Sequence, residues 1–361
     1  MIKGVFWLKK LVMIIMTMVL AISLLPISTD AATKEMKVHF IDVGQGDAVL
    51  IQSPNGKNML VDGGPKTAGS KVVSFLKEKG VKRLDYVVAT HPDADHIGGL
   101  EAVLNAFPVT NFIDSGYVHT SQTYYNMLTL IDKKNIKFTV AKELDKLALD
   151  PQLITRILFA DEKGKDSNAA SIVLKITYNK VSFLLMGDAD TVTEDYIRSK
   201  YDVKATVLKN GHHGSKTSSS AAFISNVKPS VAILSYGKNN SYGHPHAAIE
   251  ARLKNVGAKT YKTPIHCNVT VTTNGVKHSV ANSCGKGSTP VAKPKPSKPV
   301  AKPTPVKPKP APSKPVTKPV TQTNFKNCTE LRKVYPNGVS KGHPAYQSKM
   351  DRDKDGWACE R

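Results

Sequence analysis

Four side chains able to bind a metal, His91, Asp93, Asp95 and His96, stand within six residues in the stretch Thr90-His91-Pro92-Asp93-Ala94-Asp95-His96. Imidazole nitrogen beside carboxylate oxygen favours zinc, manganese or iron. The run before them, Leu84-Asp85-Tyr86-Val87-Val88-Ala89, reads as a buried strand. The four then fall on a loop at its C-terminal end, where side chains can converge on one point. A plainer role exists for one of them, Asp95 as N-cap of a helix over the apolar run from Ile97. A cap uses a single residue and leaves the others unexplained, so metal binding is the expectation.

Other polar groups recur where apolar runs end. The strand Asn58 to Asp62 finishes in Asp62-Gly63-Gly64, an acid followed by two residues that permit close backbone approach. The strand Val181 to Met186 delivers Gly187-Asp188-Ala189-Asp190. Asp190 suits the N-cap of the helix that continues through Ile197. After the strand Ala205 to Leu208, His212 and His213 stand between glycines, followed by Ser215 and Lys216, which could hold a substrate phosphate. The strand Ser230 to Ser235 precedes Tyr242-Gly243-His244-Pro245-His246 and a helix from Ala247 to Val256. Helical spacing also marks Ser70 to Lys79, Ile97 to about Ala106 and the neighbourhood of Tyr124 to Asn135. His119, between polar residues, reads as a surface group.

The pattern His91-x-Asp93-x-Asp95-His96 resembles the His-x-His-x-Asp-His motif of the metallo-β-lactamase fold, with Asp93 where a second His usually stands. With Ile97-Gly98-Gly99-Leu100 and the opening block Asp42-Val43-Gly44-Gln45-Gly46-Asp47, it is similar to the hydrolase domain of the ComEC competence proteins, over about residues 36 to 282. The resemblance implies an α/β four-layer αβ/βα sandwich holding two divalent ions, zinc or manganese. By it, His91 and Asp93 hold one ion and Asp95, His96 and His244 the other, with Asp188 between them. His246 is the alternative to His244. Asp62 supports the ligands, and Asp47 lines the cleft. His213, or His212 in its place, protonates the leaving oxygen or contacts the phosphate. Asn168 stands where many members carry a metal-binding His. It is a poor zinc ligand, so the first ion is left weakly held or completed by water and substrate. The alternative is a loop Asn satisfying its own backbone.

The formal charge of +22 lies mostly outside that region. Residues 285–323 hold nine Lys and no acid, and residues 30–284 are only mildly basic at +7. Lys3, Lys9 and Lys10 precede the apolar run Leu11 to Leu25 and the small residues near Ala31, the pattern of a cleaved secretion signal. The run is short for a membrane span, which needs roughly 20 apolar residues, although an uncleaved anchor is the alternative. Four cysteines in an exported chain suggest two disulfides. The Pro-rich segment between the second and third favours the local pairs Cys267 with Cys284 and Cys328 with Cys359. The competing use of His266-Cys267 is a metal pair.

The expected organisation is a signal over 1–31, a hydrolase domain over 36–284, a disordered Lys/Pro-rich linker over 285–323 and a small unit over 324–361. The linker's lysines suit anionic cell-wall polymers or nucleic acid. Asp351, Asp353 and Asp355 at alternate positions before Gly356, with Glu360 standing in for the usual later acid, resemble a calcium loop. With Cys328 and Cys359 the unit resembles an Excalibur domain. The expected function is a secreted metal-dependent phosphodiesterase, a nuclease acting on extracellular DNA. The alternatives are a teichoic-acid phosphodiesterase and a calcium-dependent wall-binding protein without activity.

Overall fold

The structure is a computed structural model that describes residues 34–284, 289–290, 324–335, 339–340, 343–350 and 357–359. The signal segment, most of the Lys/Pro linker and the calcium residues Asp351, Asp353, Asp355 and Glu360 lie outside the described residues.

Strands β1 (Met36–Phe40), β2 (Val49–Gln52) and β3 (Asn58–Val61) pair antiparallel in sequence order. From β3 the chain turns to parallel crossovers. Helix α1 (Gly69–Glu78) leads to β4 (Leu84–Ala89), and α2 (Ala94–Ile97) with α3 (Leu100–Ala106) leads to β5 (Val109–Asp114). Helix α4 (Gln122–Lys133) then leads to β6 (Lys137–Val140).

The second half repeats the plan. Strands β7 (Ile154–Phe159), β8 (Val173–Tyr178) and β9 (Val181–Leu185) are antiparallel. The strands β10 (Val207–Lys209), β11 (Val231–Leu234) and β12 (Lys259–Lys262) then add parallel to β9, connected through α5 (Thr191–Lys200), α6 (Ala221–Val227) and α7 (Ala247–Asn255). A short helix, α8 (Thr263–His266), returns the chain to the first sheet, where β13 (Val269–Thr273) pairs with β1 and β14 (His278–Asn282) with β13. Strand β15 (Thr289–Pro290) pairs with β14, so the paired chain continues past Cys284.

Side chains that alternate along each strand fill different layers. Val38, Phe40, Ile51, Met59 and Val61 of the first sheet pack against Leu174, Ile176, Phe183, Val207 and Ile233 of the second. On the outer face of the first sheet, Leu50, Leu60 and Val87 meet Val72, Leu76, Leu100 and Met127 of the helices. On the outer face of the second, Leu184, Leu208 and Ala232 meet Ile197, Phe223, Ile249 and Leu253. Helix, sheet, sheet and helix are therefore stacked, the four layers expected. Each fully buried aliphatic or Phe side chain contributes about 1.5–3 kcal/mol relative to leaving it in water.

Local differences from the sequence reading have physical causes. Helix α2 begins at Ala94 with Asp93, not Asp95, at its N-cap position, and no side chain makes the capping bond. Both carboxylates are thereby left for other partners. Asp190 does cap α5, accepting from Val192 N and Thr193 N. Strand β12, Lys-Thr-Tyr-Lys, buries only Tyr261 of its four residues and so has no apolar periodicity to read. Both local disulfides form, Cys267–Cys284 and Cys328–Cys359, which removes Cys267 from any metal pair.

The chain divides into two compact units between Lys295 and Pro296. In the second, α9 (Cys328–Val334) and the paired strands β16 (Val339–Ser340) and β17 (Trp357–Ala358) surround a core of Phe325, Leu331, Val339, Ala345, Met350 and Ala358. No helix among the described residues is long and apolar enough to cross a membrane.

Candidate metal centre

Most polar groups that meet at the centre lie just past the C-terminal end of a strand. Asp62 follows β3, His91 to His96 follow β4, Asp188 follows β9, and His212 and His213 follow β10. In sheets with parallel crossovers these ends converge on one crevice. Backbone bonds tie the loops together: Gly63 N donates to His96 O at 2.7 Å, Gly64 N to Asp47 O at 2.8 Å and Asp47 N to Asp95 O at 3.3 Å. Gly46 is required at this crossing, because a Cβ there would sit 2.1 Å from Asp95 O.

Hydrogen-bond chemistry sets the orientation of two imidazoles. His96 Nδ1 lies 2.9 Å from Asp62 Oδ2, and a carboxylate only accepts, so Nδ1 carries the hydrogen. Asp62 is itself held by Thr90 N at 2.8 Å and Thr90 Oγ1 at 2.7 Å. His213 Nδ1 lies 3.0 Å from Ser235 O and 3.6 Å from Asp47 Oδ1, again two acceptors. The Nε2 atoms of His96 and His213 then face each other, 3.3 Å apart. Around them stand Asp188 Oδ1, 3.3 Å from His96 Nε2, and Asp188 Oδ2 and Asp95 Oδ2, 3.4 Å and 3.3 Å from His213 Nε2.

Ring nitrogens and carboxylates packed this closely need positive charge among them, as protons or as a cation. Ligand bonds of about 2.0–2.2 Å at tetrahedral angles set donor atoms roughly 3.3–3.6 Å apart, which these separations match. Donor atoms of Asp47, His96, Asp188 and His213, all buried, lie within 4.8 Å of one another. Asp188 Oδ1, Asp47 Oδ1 and His91 Nε2 are buried without a hydrogen-bond partner, a costly state for a site with no cation. The residues present fit a metal ion.

The titration of the cluster expresses the same demand. Burial alone would depress His96, but the carboxylates of Asp188 and Asp62 raise it well above the usual imidazole value. For His213, burial is likewise outweighed by Asp188, Asp47 and Asp95. Burial would raise Asp188, and His213 and His96 instead hold it well below the usual carboxylate range.

A second position beside the first is more open. His91 Nε2 is 3.6 Å from Asp93 Oδ2 and 4.0 Å from Asp188 Oδ2, and His212 Nε2 is 3.7 Å from Asp188 Oδ2. His91 Nδ1 rests 3.1 Å from Thr90 Oγ1 and 3.4 Å from Ser171 Oγ. Asn168 opens a short turn, Asn168–Ala170, with its Oδ1 buried and unpartnered.

His212 and His213 both have positive φ, 44° and 54°. For residues with a Cβ this costs roughly 1–3 kcal/mol each and tends to mark functional sites. The turn is held by His212 N to Gly187 O at 3.1 Å and Ser215 N to His212 O at 2.7 Å. It points His213 into the cluster and leaves His212 half-buried, braced 3.0 Å from Thr217 Oγ1. Ser215 is buried and bonded to Thr217, while Lys216 is exposed.

The position facing His96 and Asp188, expected for His244, is taken by His213. His244 instead stacks on Tyr242 and meets His212 edge-on, with centroids 5.4 Å and 5.6 Å away. His246 stands at the N-cap of α7 without a capping bond from its side chain. Sequence reasoning missed Lys209, which is 1% exposed in its side chain, 2.6 Å from Asp47 Oδ2. Its one clue was a lysine completing an otherwise apolar strand.

The profile of the metallo-beta-lactamase superfamily matches residues 41–238, more than half of the chain, and that of the Excalibur calcium-binding domain matches residues 325–360. ComE operon protein 3 of Bacillus subtilis (strain 168) is 32% identical over 251 residues, which cover 64% of this chain and 32% of that protein. Competence protein ComA of Neisseria gonorrhoeae is 31% identical over 234 residues, covering 64% of this chain and 31% of that protein. The chain thus spans about a third of the length of these relatives. Over 37 residues, 10% of this chain and 12% of the relative, it is 81% identical to SPbeta prophage-derived endonuclease YokF of Bacillus subtilis (strain 168).

Proposed function

The chain belongs to the metallo-beta-lactamase superfamily and carries an Excalibur calcium-binding domain, and from that premise we propose that it is a secreted metal-dependent phosphodiesterase that cuts DNA outside the cell. The observation that carries the hydrolase reading is the pair of Nε2 atoms 3.3 Å apart, enclosed by Asp188 and Asp95. DNA as substrate is supported by the relatives that cover 64% of the chain, competence protein ComA among them. Export is supported by two disulfides, which persist in oxidising compartments.

In this reading His96, His213 and Asp188, with Asp95 and Asp47 beside them, would hold one cation, zinc or manganese. His91, Asp93 and Asp188 would hold a second. Bound, such cations supply Lewis acidity toward a phosphoryl oxygen. The remaining work falls to side chains. Asp62 fixes the His96 ring. His213 turns inward as a ligand, so His212 takes the part of proton donor to the leaving oxygen. Lys216, exposed beside it, meets the phosphate backbone.

The test is digestion of plasmid and single-stranded DNA, and separately of teichoic acid, by protein loaded with zinc or manganese. Wild type should cut DNA, and His91→Ala and Asp188→Asn should each be at least a hundredfold slower. Cleavage of teichoic acid alone would overturn the choice of substrate, and full activity of Asp188→Asn would overturn the metal site.

A further inference from the structure

Tyr242 is 63% exposed, yet its ring is not idle. It lies nearly parallel to the imidazole of His244, with 23° between the planes and 5.4 Å between centroids. His244 meets His212 edge-on at 5.6 Å, and His212 Nε2 is 3.7 Å from Asp188. Three rings therefore make a continuous path from the shared carboxylate to solvent. Among the large exposed apolar side chains of the described residues, Tyr242 is the one whose ring packs on a histidine of the site.

The loop beneath the ring is fixed in place. Asn240 Oδ1 accepts from Tyr242 N at 3.2 Å and from His244 N at 2.9 Å. Asn240 Nδ2 donates to Gly237 O and to His244 O, each at 2.8 Å. Gly237 N in turn donates to Gln45 Oε1 at 3.1 Å, tying this loop to the one that carries Asp47. Five hydrogen bonds hold an aromatic face out to water, where apolar surface is disfavoured. A ring preorganised beside a reacting centre is suited to a planar partner.

We propose that Tyr242, backed by His244, is a stacking platform for a nucleobase flanking the cleaved phosphodiester. The inference rests on the phosphodiesterase reading of the same site and narrows it to nucleic acid. A polyol phosphate has no π-face to offer, whereas every base has one, so this recognition tolerates any sequence. Removing such a platform weakens binding about 5- to 150-fold per stacked base.

The experiment compares a single-stranded oligonucleotide with a strand of the same length made abasic throughout. Wild type, Tyr242→Ala and Tyr242→Trp, all metal-loaded, are assayed for KM and, by fluorescence anisotropy, for binding. Wild type should prefer the base-bearing strand by about 5- to 150-fold. Tyr242→Ala should lose that preference and Tyr242→Trp keep it, a pattern that a merely structural role would not produce. Equal wild-type affinity for the two strands, or a preference that survives in Tyr242→Ala, overturns the proposal. If no strand is cut, the nuclease reading falls by itself, and anisotropy in the same preparations still decides whether Tyr242 stacks a base.

Discussion

The Nε2 atoms of His96 and His213 lie 3.3 Å apart, and the Nδ1 hydrogen of each is already committed, to Asp62 Oδ2 at 2.9 Å and to Ser235 O at 3.0 Å. Neither ring can relieve the contact by changing tautomer without breaking a buried bond. A cation between them does relieve it. Zinc or manganese at a hundredfold excess over its Kd should stabilise the domain by about 2.7 kcal/mol, seen as a higher Tm by calorimetry and reversed by a chelator. His213→Ala should abolish the shift. An identical Tm with and without metal would remove the basis of the site.

Asp62 acts on the cluster through His96, 2.9 Å away, and is itself held by Thr90. Partners of this kind typically tune metal affinity 10–100-fold. Asp62→Ala should therefore bind metal about 10–100-fold more weakly in a competition titration, with Asp62→Asn in between. Affinity equal to wild type would reduce Asp62 to a turn residue.

Lys209 and Asp47 form an ion pair 2.6 Å apart with side chains only 1% and 4% exposed. Removing one partner of such a pair leaves a buried charge uncompensated and costs about 3–5 kcal/mol. Lys209→Met should show that loss in urea unfolding, and Lys209→Met combined with Asp47→Leu should recover much of it. A double variant no more stable than the single one would show that the loss is not electrostatic.

His39 gives the fold a dependence on pH that is separate from the metal. It is buried on β1 between Thr270 Oγ1 at 2.9 Å and Gln52 Oε1 at 3.2 Å. Burial is the main cause that lowers it from 6.5 to about 4. Above pH 6.5 the ring is neutral folded or unfolded, and stability is at its full value. As pH falls from 6.5 toward 4 only the unfolded chain gains the proton, so roughly 3 kcal/mol of stability is lost across that window. His39→Gln should flatten that part of the profile in chemical denaturation at stepped pH. An unchanged slope would show that the imidazole does not titrate in this way.

Much of the architecture was legible from local pattern. The strand Asn58 to Asp62, the strand before His91 and the helix capped by Asp190 each depend on neighbours in sequence, and local patterns report them well. The element Lys259–Lys262 was not legible, because its strand character comes from pairing with β11 and not from its own residues.

The sequence by itself determined which residue types could gather a metal, since His91, Asp93, Asp95 and His96 are neighbours on one loop and Asp188 ends an apolar strand. Only the tertiary structure decided which histidine of each later pair turns inward. His213 faces His96 and His212 faces the opening because the backbone takes positive φ at both positions. That conformation is set by bonds to Gly187 and Ser215 and by the Ser235 carbonyl across the crevice. Ligand identity at such a turn depends on a rotation of one residue. Spacing along the chain does not encode it, because the partners that hold it come from strands distant in sequence.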